Sequence, residues 1–99
     1  MNRKQLFKEI RKLQKKEMKI LKAKNARYSN KEDALENLRF AGETGLLARM
    51  GDKLIRAKNV IKEGSSNLKD EGIEDTLMDL ANYANLLIVY LEVNNAKSK

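Results

Sequence analysis

Four charged residues near the middle of the chain are spaced so that their side chains share one face of a predicted helix. They are Arg49, Asp52, Lys53 and Arg56. Side chains three, four and seven positions apart lie together on a helix. An arginine grips a phosphate through two parallel N–H donors, and a lysine adds a point charge. The spacing therefore predicts a phosphate-binding face, in which Asp52 holds the cations or ligates a metal ion. The alternative is an exposed ladder of ion pairs.

Carboxylates at four-residue spacing predict a second polar cluster further along the chain. Glu71, Asp75 and Asp79 share one helical face, and carboxylate oxygens suit Mg²⁺. The first two also suit a helix N-terminus, where the macrodipole favours anions. Asp79 has apolar neighbours on the helix, so its carboxylate needs a cation, an arginine or a metal as a partner. The expected partners are three cations of the first cluster: Arg49, Lys53 and Arg56.

Two amides, a lysine and a tyrosine add candidate contacts to a ligand. Lys24, Asn25 and Tyr28 lie where the helical periodicity of the N-terminal segment breaks, and irregular segments of this kind often carry binding contacts. Tyr28 either stacks on a base or pins the loop to the core. Asn82 falls in the apolar half of the last predicted helix, and a buried amide must be hydrogen-bonded. It either sets the register of an oligomer or reads a base or ribose edge.

The composition of the 99 residues excludes several kinds of chemistry. With no Cys and no His, the chain has no disulfide, no thiolate or imidazole metal ligand, and no Cys or His catalysis. No apolar run approaches the roughly 18 residues that a membrane span requires. The N-terminus also lacks the apolar stretch of a secretory signal. We therefore expect a cytoplasmic protein that has no membrane partner.

The positive charge is concentrated at the N-terminal end of the chain. The net charge is +7, and residues 1–27 contain eleven Lys or Arg but only two Glu. A basic segment binds nucleic acid or another anionic surface through counterion release; the alternative is a solvated, lysine-rich helix face. Phe7 is the only aromatic residue among these cations, whereas nucleic-acid binders usually add stacking aromatics or arginines.

Apolar residues recur with the period of a helix, and no segment alternates as a strand does. The apolar stripe of the third predicted helix consists of Leu47, Met50, Leu54, Ala57 and Ile61. Ser29 is predicted as the N-cap of the second helix, and Gly42 and Gly45 mark a bend. The pattern predicts one all-α domain, a four-helix bundle. Its helices cover residues 3–26, 30–41, 45–63 and 71–93, with a frayed tail over 94–99.

The last predicted helix is apolar on almost every side between Leu80 and Leu91. Tyr83, Ile88 and Val89 all lie outside its core stripe. A helix that is apolar on every side is expected to be buried on every side. So short a chain has few other elements that could pack around it. We therefore expect a homo-oligomer that forms through the C-terminal helix; the alternative is a central helix in a monomeric bundle.

Four ordered blocks of sequence resemble a small phage and prophage family, the nucleotide-modification-associated domain. They are KNARYS at 24–29, DALENLRFAG at 33–42, RMGDKLIR at 49–56 and DTLMDLANYA at 75–84. The chain is more distantly similar to the all-α NTP pyrophosphatases of the MazG-like group. The resemblance implies a phage or prophage protein in a bacterial host, an oligomeric helical bundle and a nucleotide bound between helices. It also implies a non-catalytic, anti-defence role, the trapping of a host nucleotide signal.

The sequence departs from the magnesium motifs of the MazG-like group. Those proteins carry Glu-Glu-x-x-Glu on one helix and Glu-x-x-Asp on the next. Here Gly72 and Thr76 occupy the positions three residues before Asp75 and Asp79. Binding of a phosphorylated nucleotide tolerates this departure better than hydrolysis does.

Nucleotide binding, with sequestration as its purpose, is therefore the leading functional hypothesis, and it requires no cofactor. Its predicted ligand-binding residues are Lys24, Asn25, Tyr28, Arg49, Lys53, Arg56 and Asn82. A Mg²⁺-dependent nucleoside triphosphate pyrophosphohydrolase is the first alternative, with four predicted metal ligands: Glu36, Asp52, Asp75 and Asp79. A nucleic-acid or protein interaction module that uses the basic first helix is the second alternative.

Overall fold

A computed structural model describes residues 1–63 and 71–98 of the chain, and this part forms three α-helices and no strand. Helix α1 spans Arg3–Tyr28, α2 spans Glu36–Lys62 and α3 spans Glu71–Ser98. The predicted all-α class is confirmed. None of these helices combines the length and hydropathy needed to cross a membrane.

Helix α1 is bounded by side-chain hydrogen bonds at its start and by a turn at its end. The Asn2 side chain accepts from the backbone N–H of Gln5, and the Gln5 side chain accepts from the backbone N–H of Asn2. This reciprocal pair satisfies two donors that a helix start leaves unpaired. The prediction of Ser29 as an N-cap is wrong, because Ser29 is the C-cap of α1. The turn that follows is held by Asn30, whose side chain accepts from the backbone N–H of Asp33.

The second and third predicted helices are joined in α2, which is kinked at Gly42. The backbone of Gly42 has φ 71° and ψ 177°, while helical geometry resumes on both sides of it. Glycine adopts this left-handed region without the steric cost of a Cβ. The predicted bend is thus present, as a kink within α2 and with no loop between two separate helices. The predicted four-helix arrangement is replaced by three helices in the described residues, and residues 30–35 form the turn before α2.

The face that α2 buries agrees only in part with the predicted stripe. Ala57 is buried as predicted, and Leu46 is buried in place of its neighbour Leu47. Leu47, Leu54 and Ile61 are each more than half exposed. The sequence offers apolar residues on both faces, and the packing of α2 against α3 determines which of them are buried.

The buried core is thin, as the chain length predicted. Apart from Thr76 and Asn82, the buried residues of the described part are all apolar: Leu38, Leu46, Ala57, Ile73 and Met78. Helix α1 has no buried residue. The radius of gyration is 15.5 Å, compared with roughly 13 Å for a compact chain of this size. Large apolar side chains consequently remain on the surface, Ile88 and Val89 of α3 among them.

The helix α3 continues to Ser98, past the predicted end at Val93. Helix α3 packs against both α2 and α1, and its contacts with α1 include Glu74, Asp79 and Asn82. The three helices therefore meet at the N-terminal half of α3, where the candidate site lies.

Candidate functional site

The carboxylate of Asp79 joins all three helices. Lys24 of α1 donates to one carboxylate oxygen, with Nζ to Oδ1 at 2.7 Å, and Lys53 of α2 lies 3.4 Å from the other. The Asp79 side chain is only 15% exposed. The sequence predicted that this carboxylate needs a cation and proposed Lys53 among three partners, which the structure confirms. The second cation, Lys24, comes from a helix that the sequence gave no reason to place there.

A cavity of about 410 Å³ opens beside this cluster. This volume falls in the range of roughly 300–1,000 Å³ that small-molecule sites occupy. The lining combines cations, a carboxylate, amides, phenols and leucines: Leu21, Lys24, Asn25, Tyr28, Asn37, Arg49, Asp79, Asn82, Tyr83 and Leu86. Such a mixture of a few polar groups with aromatic and aliphatic walls is typical of a ligand site.

Most of the predicted ligand-binding residues come together in this cavity. Lys24, Asn25, Tyr28, Arg49 and Asn82 line it. Lys53 adjoins it through Asp79, whereas Arg56 is exposed and does not line it. Four further lining residues were not predicted as ligands: Leu21, Asn37, Tyr83 and Leu86. Helical spacing places Tyr83 on the same face of α3 as Asp79, so the sequence gave one indication of its position. No spacing in the sequence relates Asn37 to α3.

Three amides at the cavity are fixed by hydrogen bonds at one end. Asn25 donates to the backbone oxygen of Ala34 at 2.8 Å, and Asn82 donates to that of Glu17 at 3.1 Å. The Asn37 oxygen accepts from the Ser29 hydroxyl at 2.9 Å. Within the described residues, no hydrogen bond engages the other end of these amides. Each amide is therefore held in place and retains hydrogen-bonding capacity for a ligand.

Arg49 brings an uncommitted cation to the same cavity. Its guanidinium forms no salt bridge or hydrogen bond within residues 1–63 and 71–98, although it lines the cavity beside Asp79. Lys24 and Lys53 supply two further positive charges against the single negative charge of Asp79. The local balance therefore favours an anion over a cation as the ligand.

The predicted metal ligands are distributed differently. Glu36, Asp52 and Asp75 are exposed, and the Glu36 carboxylate accepts from the Asn30 amide at 2.7 Å. In the part of the chain that the structure covers, no three carboxylates are grouped so as to hold a metal ion. Asp79 is the one member of the set that lines the cavity, and its two oxygens face lysines.

Comparisons of the chain with models of protein families, with curated proteins and with solved structures gave no match. Evidence for the function therefore comes from the residues around Asp79.

Proposed function

We propose that this protein binds a phosphorylated nucleotide in the cavity beside Asp79 and sequesters it without altering it. The observation that carries the proposal is the cavity lining itself. One enclosure of about 410 Å³ brings together cations, fixed amides and aromatic rings from three helices. These are the groups that a phosphate, a sugar or base edge and a base face respectively require.

The phosphate end of the ligand is assigned to the cationic side of the cavity. Arg49 offers a planar pair of N–H donors that no neighbouring carboxylate occupies within the described residues. Lys24 donates to Asp79 and lines the same cavity, so it can share its three donors with a phosphate oxygen. Lys53 compensates Asp79 when Lys24 turns to the ligand.

The base end is assigned to the aromatic side. Tyr28 is 59% exposed and Tyr83 is half-buried, and both line the cavity. An aromatic ring stacks on any base face with a contribution of about 1–3 kcal/mol. Asn25 and Asn82 then recognise a base or ribose edge through their free amide ends.

Binding is better supported than hydrolysis by the surroundings of Asp79. Cleavage of a triphosphate in the MazG-like manner requires several carboxylates that share metal ions and activate water. Here Asp79 is paired with two lysines, while Glu36, Asp52 and Asp75 lie on the exposed surface. The resemblance to a phage and prophage family supports a role in trapping a host nucleotide signal, which would act against a bacterial defence.

The proposed binding form is a homo-oligomer assembled through α3. A groove of about 1180 Å³ runs between α1 and the C-terminal half of α3, and its lining includes Met18, Leu86, Ile88 and Val89. Ile88 is 55% exposed and Val89 is 46% exposed. An apolar area of this kind on a small chain is a surface for association. Leu86 also lines the nucleotide cavity, so association at α3 would close one of its walls.

Isothermal titration calorimetry with nucleoside mono-, di- and triphosphates, in EDTA and in Mg²⁺, tests the proposal. At least one nucleotide is expected to bind in EDTA and to be recovered intact after denaturation. Arg49→Ala should weaken this binding about tenfold to hundredfold, since a charge-assisted hydrogen bond contributes about 1.5–3 kcal/mol. Arg56→Ala is the matched control on the same helix, and its affinity should stay within about twofold of the parent.

Two results would contradict sequestration. Equal losses in the Arg49→Ala and Arg56→Ala variants would show that the cavity is not the phosphate site. Release of pyrophosphate from a triphosphate in Mg²⁺, abolished by Asp79→Asn, would establish the pyrophosphohydrolase alternative in its place.

A further inference from the structure

Six cations of α1 form a straight stripe that the nucleotide site does not use. They are spaced four, three, four, four and three residues apart, which keeps them on one helical face. The stripe consists of Lys4, Lys8, Arg11, Lys15, Lys19 and Lys22. All six are exposed. At a rise of about 1.5 Å per residue, the stripe is roughly 27 Å long.

None of these six cations has an anionic partner in the described part of the chain. The salt bridges of α1 involve other residues, namely Lys12 with Glu9, Lys16 with Glu74 and Lys24 with Asp79. Six unpaired like charges on one face repel one another, since cations four residues apart destabilise a helix. An ordinary solvated surface carries interspersed positive and negative side chains, whereas this face carries only positive ones, so it is suited to bind a polyanion.

Most of the stripe lies away from the part of α1 that contacts α3, and Lys22 at its C-terminal end lines the groove between α1 and α3. Helix α1 meets α3 through Lys16, the backbone oxygen of Glu17, and Lys24. On a helix with 3.6 residues per turn, Glu17 and Lys24 lie opposite the stripe, and Lys16 lies about 100° from its centre. A long ligand can therefore contact the stripe from Lys4 to Lys19 without meeting α2 or α3.

We propose that this stripe is a second binding site, and that it takes the phosphate backbone of a double-stranded nucleic acid. A duplex carries one negative charge every 1.7 Å or so along its axis, so the roughly 27 Å of the stripe spans more phosphates than the stripe has cations. A straight row of cations on a long helix suits a stiff, extended polyanion. The stripe contains no amide and no aromatic side chain, which means that binding does not depend on base sequence.

An anionic lipid surface fits the observations less well. A helix that lies on a bilayer inserts its apolar face, but the apolar side of α1 is where α3 packs, and Glu74 of α3 lies beside it. Leu6, Ile10 and Leu13 are exposed on α1, but they lie on the side opposite the cations, so a bilayer that took up this apolar side would leave the stripe pointing to water. The cationic side, by contrast, is open from Lys4 to Lys22.

The test is the salt dependence of binding to a labelled duplex of mixed sequence, measured by fluorescence anisotropy on the full chain. Engagement of all six cations gives a slope of log K against log salt of about −5. The double variant Lys8→Gln/Lys15→Gln should reduce the magnitude of this slope by about two. A second duplex of unrelated sequence should bind with the same affinity within about threefold.

The matched control removes the same charge elsewhere. Lys58→Gln/Lys62→Gln neutralises two exposed lysines of α2 that have no ion pair in the described residues, and it should leave the slope unchanged. Glutamine keeps the helix propensity of lysine, and circular dichroism verifies that each variant folds.

Three outcomes would overturn the proposal: a parent slope weaker than about −2, equal effects of the two double variants, or binding to phosphatidylserine vesicles with none to the duplex. The result is independent of the nucleotide cavity, because Arg49→Ala should leave duplex binding unchanged.

Discussion

Replacing Asp79 with Asn tests whether the three-helix cluster stabilises the fold. The substitution keeps the shape of the side chain but removes the charge that Lys24 contacts at 2.7 Å and Lys53 approaches at 3.4 Å. A hydrogen bond to a charged group contributes about 1.5–3 kcal/mol. Because the Lys24 side chain is 45% exposed, solvent screening reduces the expected loss to about 1–2 kcal/mol. For a domain of this size, 1 kcal/mol corresponds to roughly 4–8 °C in Tm.

Urea denaturation followed by circular dichroism measures this loss, at one fixed protein concentration because association also stabilises the fold. Asp75→Asn is the matched control, since Asp75 is an exposed carboxylate one turn earlier on α3 and has no ion pair within the described residues. Its free energy of unfolding should change by no more than about 0.5 kcal/mol. In the Asp79→Asn background, Lys24→Gln should cost almost nothing further. Equal losses for the two Asn variants, or full additivity with Lys24→Gln, would refute the reasoning.

Three other perturbations follow from the structure. Gly42→Ala should lower the free energy of unfolding in urea by about 1 kcal/mol, because the backbone of Gly42 has a φ of 71° that alanine disfavours. Gly51→Ala should raise it by about 0.5–1 kcal/mol, because the added Cβ would meet nothing within 4 Å and alanine is the better helix former. Changes of the same sign in both variants would contradict the kink. Asn82→Ala should lower the unfolding free energy by about 1–2 kcal/mol through loss of the bond to α1, while Asn85→Ala at an exposed position should not. Ile88→Asp should reduce the molar mass in multi-angle light scattering if α3 is the association surface, and an unchanged mass would exclude it.

Helical periodicity predicted the elements of this fold well and their packing poorly. The helical period of the apolar residues and the absence of strand alternation were enough to predict an all-α chain. The kink at Gly42 was predicted from the glycine alone. The buried side of α2 was predicted only in part, since Ala57 is buried as predicted but Leu46 faces the core in place of Leu47. Apolar residues lie on both faces of that helix, so only the fit against α3 determines which face is buried.

The candidate site, like the fold, was predicted from the sequence only in part. The apolar neighbours of Asp79 on its own helix were enough to predict that it needs a cation, because the charge of a carboxylate in such surroundings must be compensated. The choice of Lys53 and the addition of Lys24 depended on how α1 and α2 meet α3. Asn37 shows the limit most clearly, since its place in the cavity depends on the turn at residues 30–35.

The sequence by itself determined an all-α chain, a basic first helix, and the spacing that places Arg49, Asp52, Lys53 and Arg56 on one face of a helix. These properties depend on residue type and on spacing along one helix, which local geometry fixes. The tertiary structure alone decided that Arg49 and Asp79 would share a cavity with Asn25 and Tyr28, and that Arg56 would not. Contacts between helices depend on crossing angle and depth of packing, and many sequences with the same periodicity can satisfy these in different ways.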